Sequence, residues 1–335
     1  MIKRNSGFTH LTAGYLFPEV ARRRREYAKN HPEASIISLG VGNTTEPLPK
    51  FIAKAMADYA IGLSTAEGYS GYGDDCGNAE LRRKIAETFY NGMADADEVF
   101  VADGAKCDIA RLQTLFGSKV QIAVQDPAYP VYVDGSVIVG AAGKNNGKGY
   151  KGVTYMPCTP ENNFFPDLSV VKKNSLIYFC SPNNPTGCAS TREELLRLVD
   201  FANKNGCIII FDAAYREFIR DDNLPKTIFE IAGARTCAIE INSFSKPAGF
   251  TGVRLVVLAT IDFRQWSHHP HQCLAQVFGT VLSFGHAEVK MKHGILCPFL
   301  FERHNLQPLK QLTVAFEIRI QSRCEQRLAK ASRSN

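Results

Sequence analysis

Short apolar runs that alternate with helical patterns are the feature that most limits how this chain can fold. Between about residue 95 and residue 255, this alternation predicts an α/β domain with a mostly parallel sheet covered by helices on both faces. Polar or glycine-containing motifs close the runs, and ligands in such sheets bind beyond the carboxyl ends of the strands. The runs typical of buried strands are residues 98–102, 120–124, 175–180, 207–211 and 237–241.

Helix signals occupy the segments between and before these runs. Asn78 is predicted to cap an amphipathic helix, and Thr191 begins another helix through a capping box that Glu194 completes. The remaining predictions are a helix that begins near Pro18, a short strand at Ser35–Leu39, a helix from Pro47 through Ala60 and a surface loop at 140–152.

Charge, cysteine content and the length of the apolar runs limit which classes of function and which cellular compartments suit this chain. The net charge is +6, but residues 1–254 carry 29 Lys/Arg against 28 Asp/Glu, so no basic face for nucleic acid runs through them. The ten cysteines never form a CxxC pair, which favours reduced, mostly buried thiols over disulfides or metal ligands. No apolar run approaches the ~20 residues of a membrane span. No secretory signal follows Met1, and the expected location is the cytoplasm.

Lys246 lies in a stretch from Ser243 to Arg254 that follows the last apolar run and is rich in hydroxyl groups and glycine. A lysine amine in such a place suits a Schiff base with a carbonyl cofactor. Ser243, Ser245 and Arg254 suit a phosphate group on the same cofactor. A polar turn with a solvated lysine is the alternative interpretation, and this stretch alone does not decide between the two.

Asp212 directly follows the apolar run at 207–211, where a carboxylate is costly to bury without a cationic partner. A protonated pyridine nitrogen would be such a partner, and the pair would make the ring an electron sink, as expected of pyridoxal phosphate. Tyr215 and Asn184 are candidates to donate hydrogen bonds to the phenolate oxygen of that ring. An ordinary helix cap is the alternative for Asp212, and it is the commoner role for an aspartate in this position.

Three further motifs follow strands or glycines. Ala105 and Lys106 begin a helix directly after a strand, where backbone N–H groups and the helix dipole favour an anion. Tyr129 is a candidate to stack on the cofactor ring, although a tyrosine between two prolines also packs in ordinary loops. Tyr72 and Asp75 lie on a glycine-rich loop that either reaches an active site, across a dimer interface, or is simply exposed to solvent.

Taken in order along the chain, these motifs resemble those of the fold-type I pyridoxal-phosphate aminotransferases. The resemblance covers residues 1–254, and within that group it is strongest to the LL-diaminopimelate aminotransferase family. The segments that carry the closer similarity are Leu11–Phe17, Leu39–Thr45, Asp103–Lys106, Ser181–Gly187, Phe211–Tyr215 and Glu240–Arg254.

This resemblance implies a large α/β domain with a mostly parallel seven-stranded sheet, a smaller second domain, a homodimer and pyridoxal 5'-phosphate as cofactor. It also implies amino transfer from glutamate to tetrahydrodipicolinate, giving LL-diaminopimelate for lysine biosynthesis, with Lys246, Asp212 and Tyr215 as catalytic residues. The implied cofactor-binding residues are Tyr72, Ala105, Lys106, Tyr129, Asn184, Asp212, Tyr215, Ser243, Ser245, Lys246 and Arg254. The implied substrate-binding residues are Tyr15, Gly42, Lys106, Tyr129 and Asn184.

The resemblance ends after Arg254, where the composition also changes. Residues 255–335 hold six of the eight histidines but only three of the 26 glycines. The sequence therefore predicts a small-domain segment at 1–45, a large cofactor-binding domain at 46–254 and an atypical region at 255–335. That region is either a divergent domain or the product of truncation or a frame shift, which would leave the small domain incomplete and impair catalysis. Its histidines His268, His269 and His271 lack Asp, Glu or Cys at ligand spacing, and no metal site is predicted.

Two other functions stay open at this point. One is a different class I or II aminotransferase, acting on aspartate or aromatic amino acids. The other is a non-catalytic protein that retains only the cofactor pocket. Assays with exchanged substrates distinguish a different aminotransferase from the family named above. Spectra of the transamination half-reaction distinguish a non-catalytic protein from an enzyme.

Overall fold

The computed structural model describes residues 2–11, 16–37, 46–253 and 255–259. Within these residues seven strands form one mixed sheet, in the order β1-β7-β6-β5-β4-β2-β3. The strands are β1 (Val99–Ala102), β2 (Gln121–Asp126), β3 (Val153–Pro157), β4 (Ser175–Cys180), β5 (Ile208–Asp212), β6 (Ala238–Ser243) and β7 (Val256–Ala259). The α-helices are α1 (Leu16–Asn30), α2 (Lys50–Gly62), α3 (Ala79–Lys84), α4 (Ala105–Phe116), α5 (Val131–Ile138) and α6 (Arg192–Asn205). A π-helix at Ile85–Phe89 continues α3, and short 3-10 helices lie at Ser6–Thr9, Ala96–Glu98, Pro160–Asn162, Leu168–Val170, Arg216–Phe218, Ile228–Glu230 and Ala234–Thr236.

Strand direction in this sheet brings the strand ends together. Strands β3, β2, β4, β5 and β6 pair in parallel. Strand β7 pairs antiparallel with both β6 and β1, so β1 runs in the same direction as β6. Six of the seven described strands therefore point the same way, and the prediction of a mostly parallel sheet is confirmed. Their carboxyl ends share one edge of the sheet.

Both faces of the sheet are buried, as its continuous apolar strands predict. In β5, Ile209 and Phe211 pack into one core cluster, whereas Ile208 and Ile210 pack into the cluster on the opposite face. Helix α6 covers the first face, and helices α4 and α5 cover the second. Because each strand residue meets a core on one side or the other, the strands contain few polar residues until they reach the edge.

The two predicted helix caps are present. The side chain of Asn78 accepts a hydrogen bond from the Leu81 amide at 2.9 Å. Thr191 accepts from the Glu194 amide at 3.2 Å, and Glu194 accepts from the Thr191 amide at 2.8 Å, which completes the capping box. Local sequence therefore determines where these helices begin.

Several features differ from the sequence predictions. Residues 35–37 of the predicted strand Ser35–Leu39 are irregular; no described strand pairs with them, and Ile37 is 83% exposed. Residues 38 and 39 lie outside the described part of the chain. Helix α5 and strands β3 and β7 were not predicted.

Strand β7 shows that the sheet continues past residue 254. It lies between β1 and β6 and is the second strand from the β1 edge of the sheet. Most of the predicted atypical region, residues 260–335 with its histidines, lies outside the described residues. Across the described part of the chain, no helix combines the length and apolar character that crossing a bilayer requires.

Candidate active site

The register of the strands places the predicted motifs side by side. Asp212, the last residue of β5, pairs with Cys180 of β4 on one side and with Ile241 of β6 on the other. Ala102 and Ser243 both pair with Val256, so the ends of β1 and β6 lie on either side of one strand. At a strand spacing of about 4.8 Å, these two ends are roughly 10 Å apart. One small ligand can therefore contact residues that follow both β1 and β6.

Lys246 lies in the turn that follows β6. The turn is held by the Ala248 amide, which donates to the Phe244 carbonyl at 3.1 Å, and by the Ser245 amide, which donates to Ser243 Oγ at 3.2 Å. The side chain is half-buried, with Nζ 5.6 Å from the centroid of the Tyr215 ring. Burial lowers the pKa of the Lys246 amine. A lowered pKa increases the fraction of neutral amine, which is the form that attacks a carbonyl.

Asp212 is a buried carboxylate at the end of β5. Tyr132 Oη donates to Oδ2 at 2.6 Å, and the Ala214 amide donates to Oδ1 at 3.1 Å. Burial raises the pKa of Asp212, and these two hydrogen bonds oppose that rise. Among the described residues, no lysine, arginine or histidine forms an ion pair with it. The site thus contains a buried carboxylate that no described cation neutralises. A protonated ring nitrogen would supply that positive charge.

Tyr215 lies near both Asp212 and Lys246, and Asn184 lies beside Tyr215. Burial raises the pKa of the Tyr215 phenol, and a hydrogen bond with the Asn184 side chain opposes that rise. The loop that carries Asn184 is tied to the loop after β2, because Asn183 Nδ2 donates to the Pro127 carbonyl at 3.1 Å. The loop that carries Asn184 is therefore fixed to the loop that carries Tyr129.

The opposite end of the site suits an anion. Helix α4 begins at Ala105 after Gly104, which has no side chain to cap the helix, so backbone N–H groups are directed to the strand edge. Ser243 and Ser245 are buried near the end of β6. Tyr129 is half-buried after β2, and its ring meets that of Tyr132 edge-on at 6.0 Å. This side of the site combines hydroxyl groups, a helix start and an aromatic ring.

The predicted site residues thus divide into three groups. Asn184, Asp212, Tyr215 and Lys246 lie together, and Ala105, Lys106, Tyr129, Ser243 and Ser245 follow strands that end at the same edge. Tyr72 is 89% exposed and makes no hydrogen bond or ring contact with a described residue, so its place in the site stays a prediction. Tyr15, Gly42 and Arg254 lie outside the described residues.

One residue of the site was missed. Tyr132 donates to Asp212 from 80 positions away in the chain. Tyr132 follows Tyr129 by three residues, which is about one helical turn. The sequence would have indicated that the two are neighbours only if helix α5 had been predicted.

Comparison with known proteins agrees with this geometry. The family model described as aminotransferase class I and II matches residues 34–283, which is most of the chain. The chain belongs to this family. Its enzymes depend on pyridoxal phosphate.

The names of individual relatives in this family are more specific. The chain is 59% identical over 257 residues to the chloroplastic LL-diaminopimelate aminotransferase of Arabidopsis thaliana, covering 76% of this chain and 56% of that relative. It is 55% identical over 257 residues to the LL-diaminopimelate aminotransferase of Protochlamydia amoebophila, covering 76% of this chain and 62% of the relative. The solved L,L-diaminopimelate aminotransferase of Chlamydomonas reinhardtii has a TM-score of 0.78 and 55% identity, covering 83% of this chain and 70% of that one. The chain therefore spans less than two thirds of the length of the two curated relatives.

The residues present fit pyridoxal phosphate. Asp212, which is buried and forms no ion pair with a described residue, suits a protonated pyridine nitrogen, and the amine of Lys246, with its lowered pKa, suits the carbonyl group. Tyr215 and Asn184 offer hydrogen-bond donors for the phenolic oxygen of the cofactor. Ser243, Ser245 and the start of α4 suit its phosphate. Each functional group of this cofactor has a partner of matching chemistry at the strand edge.

Proposed function

We propose that this chain is an LL-diaminopimelate aminotransferase. The reaction moves an amino group between glutamate and tetrahydrodipicolinate, giving 2-oxoglutarate and LL-diaminopimelate. One observation carries the proposal: Lys246, Tyr215 and Asp212 lie together at the strand edge, in the order and spacing of the family. The substrate assignment is supported by relatives of that name at 59% and 55% identity.

When bound, pyridoxal phosphate supplies an electron-accepting ring that stabilises negative charge on the α-carbon of the amino acid. Asp212 would hold a proton on the ring nitrogen, which would strengthen that acceptor. Tyr215 and Asn184 would donate to the phenolic oxygen of the ring. Lys246 would hold the carbonyl carbon, and its neutral amine would accept and return the α-proton of the substrate. Burial supports this role because it lowers the pKa of the Lys246 amine.

The test of this function is an assay of amino transfer. The purified 335-residue chain, supplied with pyridoxal phosphate, is mixed with LL-diaminopimelate and 2-oxoglutarate, and glutamate formation is measured. We expect turnover with LL-diaminopimelate and little with aspartate or phenylalanine. We also expect a rate below that of a full-length relative assayed alongside, because the resemblance to the family ends after Arg254 and the small domain is predicted to be incomplete.

The outcomes separate the competing functions. Turnover with aspartate or an aromatic amino acid in place of LL-diaminopimelate would assign the chain to a different aminotransferase. Cofactor binding without any amino transfer would identify a non-catalytic protein. A rate equal to that of the full-length relative would support the function and contradict the expected impairment.

We further propose that the active form is a homodimer. Helix α2 is rich in apolar residues, yet none of its residues is buried, and Phe51 and Ile61 are 75% and 67% exposed. Tyr72, on the glycine-rich loop that follows, is also exposed. A second copy of the chain would cover these side chains. Sedimentation of the same preparation should give the mass of two chains, and a monomer that is fully active would contradict this.

The cytoplasm is the compartment that we propose. The seven described cysteines are all free thiols, which supports a reducing environment. Fractionation of cells that make the chain, followed by immunodetection, measures its location. Recovery in an organelle would contradict this part of the proposal, and the Arabidopsis relative is itself named as chloroplastic.

A further inference from the structure

Tyr132 is a fully buried tyrosine whose hydroxyl donates a hydrogen bond to the carboxylate of Asp212. Its ring stacks on that of Tyr178, with centroids 5.1 Å apart and planes inclined by 12°. Its Oη lies 2.6 Å from Asp212 Oδ2. At this distance the phenol donates a short hydrogen bond to a charged acceptor, which is about twice as strong as one between neutral groups.

The backbone of Tyr132 is held as firmly as its ring. Gln113 Nε2, on helix α4, donates to the Tyr132 carbonyl at 2.9 Å, and Ser136 Oγ donates to the same carbonyl at 2.6 Å. Gln113 Nε2 also lies 3.2 Å from Ser136 Oγ. Helix α5 is thereby tied to α4 at the residue that contacts Asp212, so the phenol has little freedom to leave it.

In the pair formed by Tyr132 and Asp212, the shared proton stays on the Tyr132 phenol. Burial, together with the charge of Asp212, raises the pKa of Tyr132 well above its ordinary value, so the phenol keeps its proton. The other ionisable group against both residues is the buried thiol of Cys180, whose pKa is raised by burial and by Asp212. Tyr132 and the Ala214 amide are therefore the donors that favour the ionised form of Asp212 among the described residues.

We infer that Tyr132 is a positioning residue for the proposed reaction: its hydroxyl orients Asp212 and keeps it ionised, so that the proton shared with the cofactor resides on the ring nitrogen. This inference rests on the proposed function, because it requires a ring nitrogen opposite Asp212. Without the hydroxyl, the buried carboxyl group would take the shared proton and the ring would become a weaker electron acceptor.

The experiment measures where that proton lies. Pyridoxal phosphate labelled with ¹⁵N in the ring is bound to the unaltered chain, to Tyr132→Phe and to the matched control Tyr178→Phe, and the ¹⁵N chemical shift is recorded by solid-state NMR. Tyr178 is a suitable control because it is equally buried and stacked in the same pair, while its hydroxyl faces Gln113 and Ser136. The unaltered chain and Tyr178→Phe should give the shift of a protonated pyridine.

Tyr132→Phe should move the signal toward neutral pyridine. The ratio of protonated to neutral ring should fall about tenfold, as expected for loss of one hydrogen bond to a charged group. An unchanged shift in Tyr132→Phe would overturn the inference while leaving the proposed function intact. Failure of the unaltered chain to bind the labelled cofactor would overturn both.

A double variant covers the case in which Tyr132→Phe does not fold. In Asp212→Asn the carboxylate is absent, so removing the Tyr132 hydroxyl as well leaves no buried charge without a donor. A folded double variant beside an unfolded Tyr132→Phe would support the inference, because the hydroxyl would then be needed only by the carboxylate. A double variant that also fails to fold would show that the fold itself needs the hydroxyl, and would overturn it.

Discussion

Asp212→Asn should lower turnover about a thousandfold, because the amide no longer holds a proton on the ring nitrogen and stabilisation of the developing negative charge is lost. The fold and the bond between Lys246 and the cofactor should persist, since asparagine has the shape of aspartate. The Tyr132 hydroxyl that now contacts Asp212 Oδ2 can donate to the amide oxygen instead. The measurement is kcat for glutamate formation, alongside the absorbance of the bound cofactor.

The control for this variant is Asp167→Asn, which makes the same chemical change at an exposed 3-10 helix cap. It should leave kcat within a factor of two, in line with other substitutions on the surface. Near-normal turnover in Asp212→Asn would remove Asp212 from the chemistry. Loss of cofactor absorbance in that variant would instead give the residue a binding role.

Glu240→Ala should destabilise the fold by about 3–5 kcal/mol, the cost of removing one partner from a buried ionic network. Glu240 is fully buried on β6. Thr227 Oγ1 and the Ile228 amide donate to its Oε2 at 2.6 and 2.8 Å, and Asn242 Nδ2 donates to its Oε1 at 2.5 Å. Arg216 Nη1 lies 3.9 Å from the same carboxylate. Alanine would remove the acceptor that the Thr227, Ile228 and Asn242 donors share, and would leave Glu217 as the carboxylate paired with Arg216.

Urea unfolding followed by circular dichroism measures the loss in free energy. Glu240→Gln is the informative comparison, because the amide keeps the size of the side chain and one acceptor oxygen, and it should cost less than half as much. Glu67→Ala, at an exposed position, should change the free energy of unfolding by less than about 0.5 kcal/mol. Equal stability of Glu240→Ala and Glu67→Ala would show that the network contributes nothing.

The central strands could be predicted from the sequence because they are buried on both faces. Strand β5 is apolar along its length and ends in Asp212, so both the strand and its functional residue are visible in one short segment. Strand β3, by contrast, lies at the edge of the sheet, and only Val153 and Met156 of its five residues are buried, which weakens the apolar signal. An edge strand pairs with only one neighbour, and its sequence is correspondingly less constrained.

Helix α5 shows why part of the site escaped prediction. Its sequence, VYVDGSVI, contains three valines, an isoleucine and a glycine, which by intrinsic propensity disfavour a helix. Packing against α4 through Gln113 overrides that preference. Tyr132 was therefore not placed on a helix turn beside Tyr129, and its contact with Asp212 depends on a register between elements that the sequence alone does not specify.

Borohydride reduction followed by peptide mapping shows whether this chain builds a pyridoxal-phosphate site in which Lys246 binds the cofactor covalently. The purified chain is incubated with pyridoxal phosphate, reduced and digested, and the labelled peptide is identified by mass spectrometry. We expect a pyridoxyl group on Lys246, whose half-buried amine has a lowered pKa. Labelling of the exposed Lys106 in place of Lys246, or no stable label, would contradict it.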